Sequence, residues 1–163
     1  MNRAERGRRQ SVLRVIDANA NRALEGLRVC EEIVRFYWEV PSAFRQLRAL
    51  RHALAQEIRR LPVTPAELVR ARESERDIGR RAPASSIGSL ERILLVNFQR
   101  AKEALRTLEE CTRLLAPRRT ARFQQLRFRT YQVERILILL ASKEQQASRA
   151  RRSPRPLVRS SSS

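Results

Sequence analysis

Glycine is scarce in this chain, with 4 residues in 163. So few glycines build neither a P-loop nor a dinucleotide-binding turn, so the known glycine-rich phosphate cradles are excluded. Histidine occurs once, at His52, and cysteine twice, at Cys30 and Cys111, with no metal-ligand neighbour at close spacing. A zinc centre, a Ser-His-Asp set and a disulfide scaffold are therefore excluded, and a reduced, cytoplasmic protein is the expectation. The longest apolar run, Ile136 to Ala141, is far too short to cross a bilayer. The start, MNRAERGRRQ, has no apolar signal-peptide core. Aromatic residues make up 5% of the chain, which leaves few platforms for stacking nucleic-acid bases.

What is abundant is arginine. All but Lys102 and Lys143 of the 35 basic residues are Arg, and the net charge is +18. Codon bias alone can enrich arginine, but arginine is also the better bidentate phosphate ligand. Such a field attracts nucleic acid, anionic membrane or small phosphorylated molecules.

Leu, Ala, Arg and Glu dominate, which favours helix. The periodicity predicts a first helix from about Ser11 to Trp38. Pro41 opens a second, reaching about Arg60. Thr64-Pro65-Ala66-Glu67 is a capping box that starts a short third helix. The stretch from Arg72 to Ile87 reads as a loop. Ser89 caps a fourth helix to about Leu115, Pro117 breaks the chain, and a fifth helix runs from Thr120 to the mid-140s. The expected organisation is a basic disordered arm over 1–10, a helical domain over 11–145 and a basic disordered tail over 146–163.

The chain also repeats itself. NANRALEGLRVCEE at Asn19–Glu32 returns as NFQRAKEALRTLEE at Asn97–Glu110, 78 positions on, with 8 of 14 residues identical. Each copy is followed by a second related stretch, F-R-Q-L-R at Phe44–Arg48 and F-Q-Q-L-R at Phe123–Arg127. Two duplicated helical hairpins imply an all-α bundle of four long helices and one short helix, with an approximate twofold relating residues 11–60 to 89–140.

On a helical wheel with Asn19 at zero, the apolar residues of both copies fall between roughly 40° and 140°. Glu25, Arg28, Glu103 and Arg106 lie outside that arc, where Glu–Arg neighbours are ordinarily solvated pairs. Glu31 and Glu109 land inside it, and a buried carboxylate must be paired or bound to something. Asn19 and Asn97 are poor helix-interior residues at matching places. These four either link the repeats structurally or line a polar cleft. His52 reads as a surface or pairing residue rather than an acid or base.

Several motifs taken together carry a resemblance. D-A-N-A-N-R-A-L-E-G-L-R-V-C-E-E (Asp17–Glu32), L-R-x-L-R-H (Leu47–His52), A-R-E-x-x-x-D-I-G (Ala71–Gly79), the second repeat (Asn97–Glu110) and L-R-F-R-x-Y-x-x-E (Leu126–Glu134) follow one another. They resemble the monofunctional, all-helical hydroxymethylpyrimidine phosphate kinases of thiamin biosynthesis, a domain often fused ahead of thiamine phosphate synthase. Glu73 stands where that family has Asp, and Cys111 where an aromatic residue is expected.

The resemblance implies ATP-dependent phosphorylation of hydroxymethylpyrimidine phosphate to its diphosphate, with Mg²⁺, and functional association with thiamine phosphate synthase. Candidates for catalysis and for holding Mg²⁺ are Glu31, Asp77 and Glu109, since Mg²⁺ takes one or two carboxylates plus phosphates. Candidates for binding substrate and phosphate are Asn19, Asn21, Arg22, Arg28, Arg51, Arg72, Asn97, Arg100 and Arg106. The expected site is a polar cleft between the first and fourth helices, roofed by the Arg72–Gly79 loop. Competing readings are a domain that binds a pyrimidine phosphate without catalysis, and a basic helical RNA-binding protein. Repeated Asn and Glu do not help grip a phosphate backbone, so nucleic acid is expected only as nonspecific contact through the tails.

Overall fold

Asn2 begins the first helix, earlier than apolar periodicity suggests. Its side chain accepts from the Glu5 amide at 2.8 Å, and the Glu5 carboxylate accepts from the Asn2 amide at 2.8 Å. This capping box satisfies two amide donors that the helix itself leaves unpaired, so α1 runs Arg3–Phe36. The basic arm expected over 1–10 is therefore mostly the start of a helix. The computed structural model describes residues 2–72 and 86–152, with 143–152 described by their backbone alone.

The other boundaries follow their punctuation. Pro41 opens α2 (Pro41–Arg59), and Thr64 caps α3 (Pro65–Ala71) in the predicted box with Glu67. Ser89 accepts from the Arg92 amide to start α4 (Leu90–Leu115). A single 3-10 turn at Pro117–Arg119 reverses the chain into α5 (Thr120–Arg152). The backbone of α5 thus passes the mid-140s; the rest of the expected tail, 153–163, lies outside the described residues. Among the described residues there is no strand.

α1 packs beside α2 and α4, α5 packs beside the same two, and α3 lies on α1. The contacts of Gly26 with Asn97 and Ala101, Cys30 with Leu94 and Tyr37 with Glu91 show that α1 and α4 run antiparallel. One core fills the interior, with Ile16, Leu27, Leu47, Leu54, Phe98, Leu105 and Phe123 fully buried. Each such side chain contributes roughly 1.5–3 kcal/mol, the main drive towards this arrangement.

The duplication is visible in burial. On α4 the buried residues Leu94, Asn97, Phe98, Ala101, Ala104, Leu105, Leu108, Glu109 and Thr112 match, place for place, Ile16, Asn19, Ala20, Ala23, Gly26, Leu27, Cys30, Glu31 and Val34 of α1. The second arms match too, but not in the register of the F-x-Q-L-R pattern. Burial pairs Leu47 with Phe123, Leu50 with Leu126, Leu54 with Thr130, Glu57 with Val133 and Leu61 with Leu137. That alignment differs by about one helical turn from the one the pentapeptides suggest. A shift of one turn keeps the same helix face inward, so the motif was locally right and globally displaced.

The same register explains why only the first half carries a third helix. After Leu61, Pro62 and Pro65 each lack the amide a continuing helix needs, and Thr64 caps a new one. After Leu137 the equivalent places hold Ile138, Leu139 and Leu140, and α5 continues straight on.

Where α1 crosses α4 the backbones nearly touch. A Cβ on Gly26 would lie 2.9 Å from the Asn97 carbonyl oxygen, a backbone atom that cannot swing aside. Gly26→Ala is expected to destabilise by ~1–3 kcal/mol through this overlap, despite alanine's better helix propensity. Thermal unfolding of the variant checks this; a melting temperature at or above that of the parent would show that the crossing is looser than described.

Candidate functional site

The two buried glutamates are each held by two arginines. Glu31 accepts from Arg51 Nε at 2.6 Å and from Arg28 Nη1 at 3.2 Å. Glu109 accepts from Arg127 Nε at 2.9 Å and from Arg106 Nη1 at 2.7 Å. Both oxygens of each carboxylate are thus engaged by guanidinium groups. A divalent cation would have to displace one arginine and tolerate the other, so Glu31 and Glu109 do not fit as Mg²⁺ ligands. Asp77, the remaining candidate, lies outside the described residues. Among the described residues no group of three His, Cys, Asp or Glu converges as a metal cluster.

The two glutamates do not share a cleft. Cys30, next to Glu31, bonds to the Leu94 carbonyl at 3.6 Å. Glu109 lies about 22 Å further along α4 at a rise of about 1.5 Å per residue. Each therefore occupies its own end of the α1–α4 pair, related by the internal twofold. Glu31, Arg28, Arg51 and Asn97 belong to one end. Asn19, Arg106 and Glu109 belong to the other, because Asn19 is two turns back from Gly26 on an antiparallel partner. Arg22 and Arg100 sit nearer the middle, and Asn21 is half-buried on α1.

Asn19 and Asn97 have a local explanation. Each amide nitrogen donates to the carbonyl one turn back, Val15 and Ile93 respectively, both at 2.8 Å. Asn19 Oδ1 also accepts from Arg22 Nη1 at 3.0 Å. His52 is exposed, in keeping with a surface role.

One pairing was not anticipated. Arg72 leaves the end of α3 and grips Asp17 through both nitrogens, Nε to Oδ2 at 2.7 Å and Nη2 to Oδ1 at 2.8 Å. Asp17 is 6% exposed. The Asp17 bond, and then Glu25 beyond it, raises the pKa of the guanidinium. This fork joins the D-A-N-A-N-R motif to the first arginine of A-R-E-x-x-x-D-I-G, so the segment carrying Asp77 departs from a fixed point on α1. The signal was available in the sequence: Asp17 stands where the second repeat has Leu95.

α3 is held to α1 by a second link, Arg9 Nη1 to Glu67 Oε1 at 2.8 Å. The Thr64 amide and then Arg9 depress the Glu67 carboxyl to about 2. A carboxylate whose folded pKa is lowered stabilises above its unfolded value and loses that contribution as pH falls through the folded one. α3 is therefore expected to loosen between about pH 4.5 and about pH 2. Amide exchange in α3 across an acid titration reads this out; protection unchanged down to pH 2 would remove Glu67 as the anchor.

Two of the surface depressions lie among the described residues. One, of about 350 Å³, lies at the α1–α2 turn, where the Arg35 guanidinium is already over the rings of Phe36 and Phe44, at 4.6 and 5.6 Å. The other, of about 470 Å³, opens beside α4 and is lined by Arg92, Leu95, Val96, Gln99, Arg100 and Glu103, with Glu134 of α5. Neither thiol is a candidate nucleophile, because burial pushes the pKa of both Cys30 and Cys111 upwards.

Fold and site together define an all-helical protein duplicated from a hairpin, with Arg72 clamped on Asp17 in one half and a groove beside α4 in the other. The chain belongs to the ThiD2 family, whose model matches residues 14–136. It is 37% identical over 131 residues to a protein of Synechocystis sp. named thiamine-phosphate synthase, covering 78% of this chain and 36% of that one. A thiamine-phosphate synthase of Nostoc punctiforme is 35% identical over 137 residues, covering 79% and 36%, and one of Rhodopirellula baltica 35% over 133, covering 80% and 35%. The chain thus spans about a third of the length of these curated relatives. No solved structure matches it. No described helix is long and apolar enough to cross a membrane.

Proposed function

We propose that this chain is a phosphotransferase of thiamin biosynthesis, moving the γ-phosphoryl group of ATP onto hydroxymethylpyrimidine phosphate and working alongside thiamine-phosphate synthase. The observation that carries the reading is the Arg72–Asp17 fork, which brings the two most distinctive motifs into one corner. Arg106 stands towards the same end, with Arg22 between it and the middle of the helix pair, and phosphoryl transfer needs mainly positioning and charge neutralisation. The acceptor is a phosphate oxygen, already ionised at neutral pH, so no general base is required of this chain. That suits a site whose buried carboxylates are all held by arginine. ATP would bring Mg²⁺ on its own phosphate oxygens, and Asp77 is the carboxylate we assign to meet it. The curated relatives support the pathway through their names.

The direct test mixes the protein with ATP, Mg²⁺ and hydroxymethylpyrimidine phosphate and follows ADP together with the pyrimidine diphosphate. Formation of both at equal rates is expected. Saturable pyrimidine phosphate binding without turnover would instead make this a binding domain.

A further inference from the structure

α5 is apolar on two opposite sides. Its core row is Phe123, Leu126, Thr130, Val133 and Leu137, all buried. At about 100° per residue, Phe128, Arg135 and Leu139 fall within about 20° of the direction opposite that row. Tyr131 and Ile138 stand on one flank of this outer stripe, at roughly 60–80° from its centre. All five are exposed, Phe128 by 52% and Leu139 by 49%. Ile136 and Leu140 are exposed as well, so only Leu137 of the run Ile136–Leu140 is buried. A helix that is apolar all round is ordinarily covered all round, and a contiguous apolar patch marks a contact surface.

The charge beside the stripe is of one sign. α2 and the described side chains of its neighbour α5 include two carboxylates, Glu57 and Glu134. Glu57 is held by Arg60 and Arg119, and Glu134 gives both oxygens to Lys102. Neither neutralises the solvent side, where Arg129 and Arg135 of α5 and Arg45, Arg48 and Arg59 of α2 are exposed without a carboxylate partner among the described residues. The two outer rings are already fixed in place. Arg127, bound to Glu109 at 2.9 Å, lies over Phe128 and Tyr131 at 4.8 and 6.0 Å, and Lys102 lies over Tyr131 at 5.1 Å. Held aromatic anchors beside arginine, with no free acid, have the composition of a protein-interface core.

These features select one occupant. A second copy would set Arg129 and Arg135 against like charges, on a chain of net charge +18. Nucleic acid gains nothing from Ile138 and Leu139. A membrane-surface helix carries its cations on the face away from its apolar side, whereas Arg135 sits inside the stripe. Phe128, Tyr131, Arg135 and Leu139 follow the helical repeat of three and four, the ridge along which another helix packs. We infer that the outward face of α5 docks an acidic amphipathic helix of a partner protein, with its apolar residues on Phe128, Tyr131 and Leu139 and a carboxylate on Arg135. Docking here is independent of phosphate transfer.

The probe is a synthetic, fluorescently labelled helical peptide with leucines along one face, a single glutamate at the middle of that face and glutamates elsewhere. Its anisotropy is followed against the full chain at about 0.15 M salt, where exposed charges beyond a short range are screened. A peptide of the same composition, shuffled to remove the apolar face, should bind at least about tenfold more weakly. Phe128→Ala with Leu139→Ala should weaken the ordered peptide by at least about tenfold, as for paired interface anchors. Arg135→Glu should lose a similar factor and regain it with a peptide whose central glutamate is lysine. Equal affinity for the shuffled peptide, undiminished binding in either variant, or no rescue by lysine would each overturn the assignment. So would tighter binding of phosphatidylglycerol vesicles or of a uridine oligonucleotide that the same variants abolish, or a sedimenting dimer that Phe128→Ala with Leu139→Ala dissociates. Circular dichroism and melting of every variant show that a loss is not unfolding.

Discussion

Replacing Asp17 with Asn is expected to lower kcat/KM for pyrimidine phosphate phosphorylation by about a hundredfold or more while leaving the bundle folded. Asn keeps the shape of the side chain and one acceptor oxygen but loses the charge and the second acceptor that Arg72 holds at 2.7 and 2.8 Å. Arg72 has 47% of its side chain exposed, so the pair contributes little to stability. Its role is positional: it fixes where the segment carrying Asp77 leaves α1, and small misplacements of a phosphate clamp are costly to rate. Arg72→Lys keeps the charge and removes the fork, and should lose almost as much. Steady-state kinetics beside thermal melting separates the effects. A variant that melts several degrees lower yet turns over like the parent would make the fork a structural tie and remove the observation on which the function rests.

The second large effect is on stability. Arg127→Ala leaves the Glu109 carboxylate 5% exposed with Arg106 as its sole remaining guanidinium. Removing one partner of a buried ion pair costs about 3–5 kcal/mol, and the lower end applies because Arg106 remains. For a chain of this length that is a fall of roughly 6–12 °C in melting temperature. Arg51→Ala should do the same to Glu31, somewhat less severely, because the Arg51 side chain is 22% exposed against 13% for Arg127. A change below about 2 °C in both would show that the glutamates are satisfied without these arginines and return them to the list of catalytic candidates.

These two cases show what was legible beforehand. Helix starts written as Thr64-Pro65-Ala66-Glu67 or Ser89 are local chemistry, and local chemistry survives folding. The Asn2–Glu5 box is equally local, but it lies ahead of any apolar stripe, where periodicity has nothing to say. Glu31 and Glu109 were visible as misfits on an apolar face, and their burial follows from the wheel alone. Their partners were less visible. Arg127 belongs to the F-x-Q-L-R arm, yet the equivalent residue on α2 is Arg51, not Arg48, because the structure pairs the arms about one turn away from the pentapeptide match. The expected single cleft failed for a geometric reason. A twofold between antiparallel helices carries matched residues to opposite ends, so sequence identity between repeats argues for two places, not one.

The α1–α4 seam bears on the history of the fold. A hairpin that meets its own copy across an antiparallel seam is, in symmetry terms, a dimer written into one chain. In a true dimer of two such hairpins any substitution would appear on both sides of the axis at once, and a clamp could not be built without building it twice. Within one chain each half is free to differ: prolines and a carboxylate on one side, an uninterrupted helix and a leucine on the other. Inequality between the halves, which a symmetric dimer cannot have, is what lets Arg72 grip the carboxylate of one half where its counterpart in the other is a leucine.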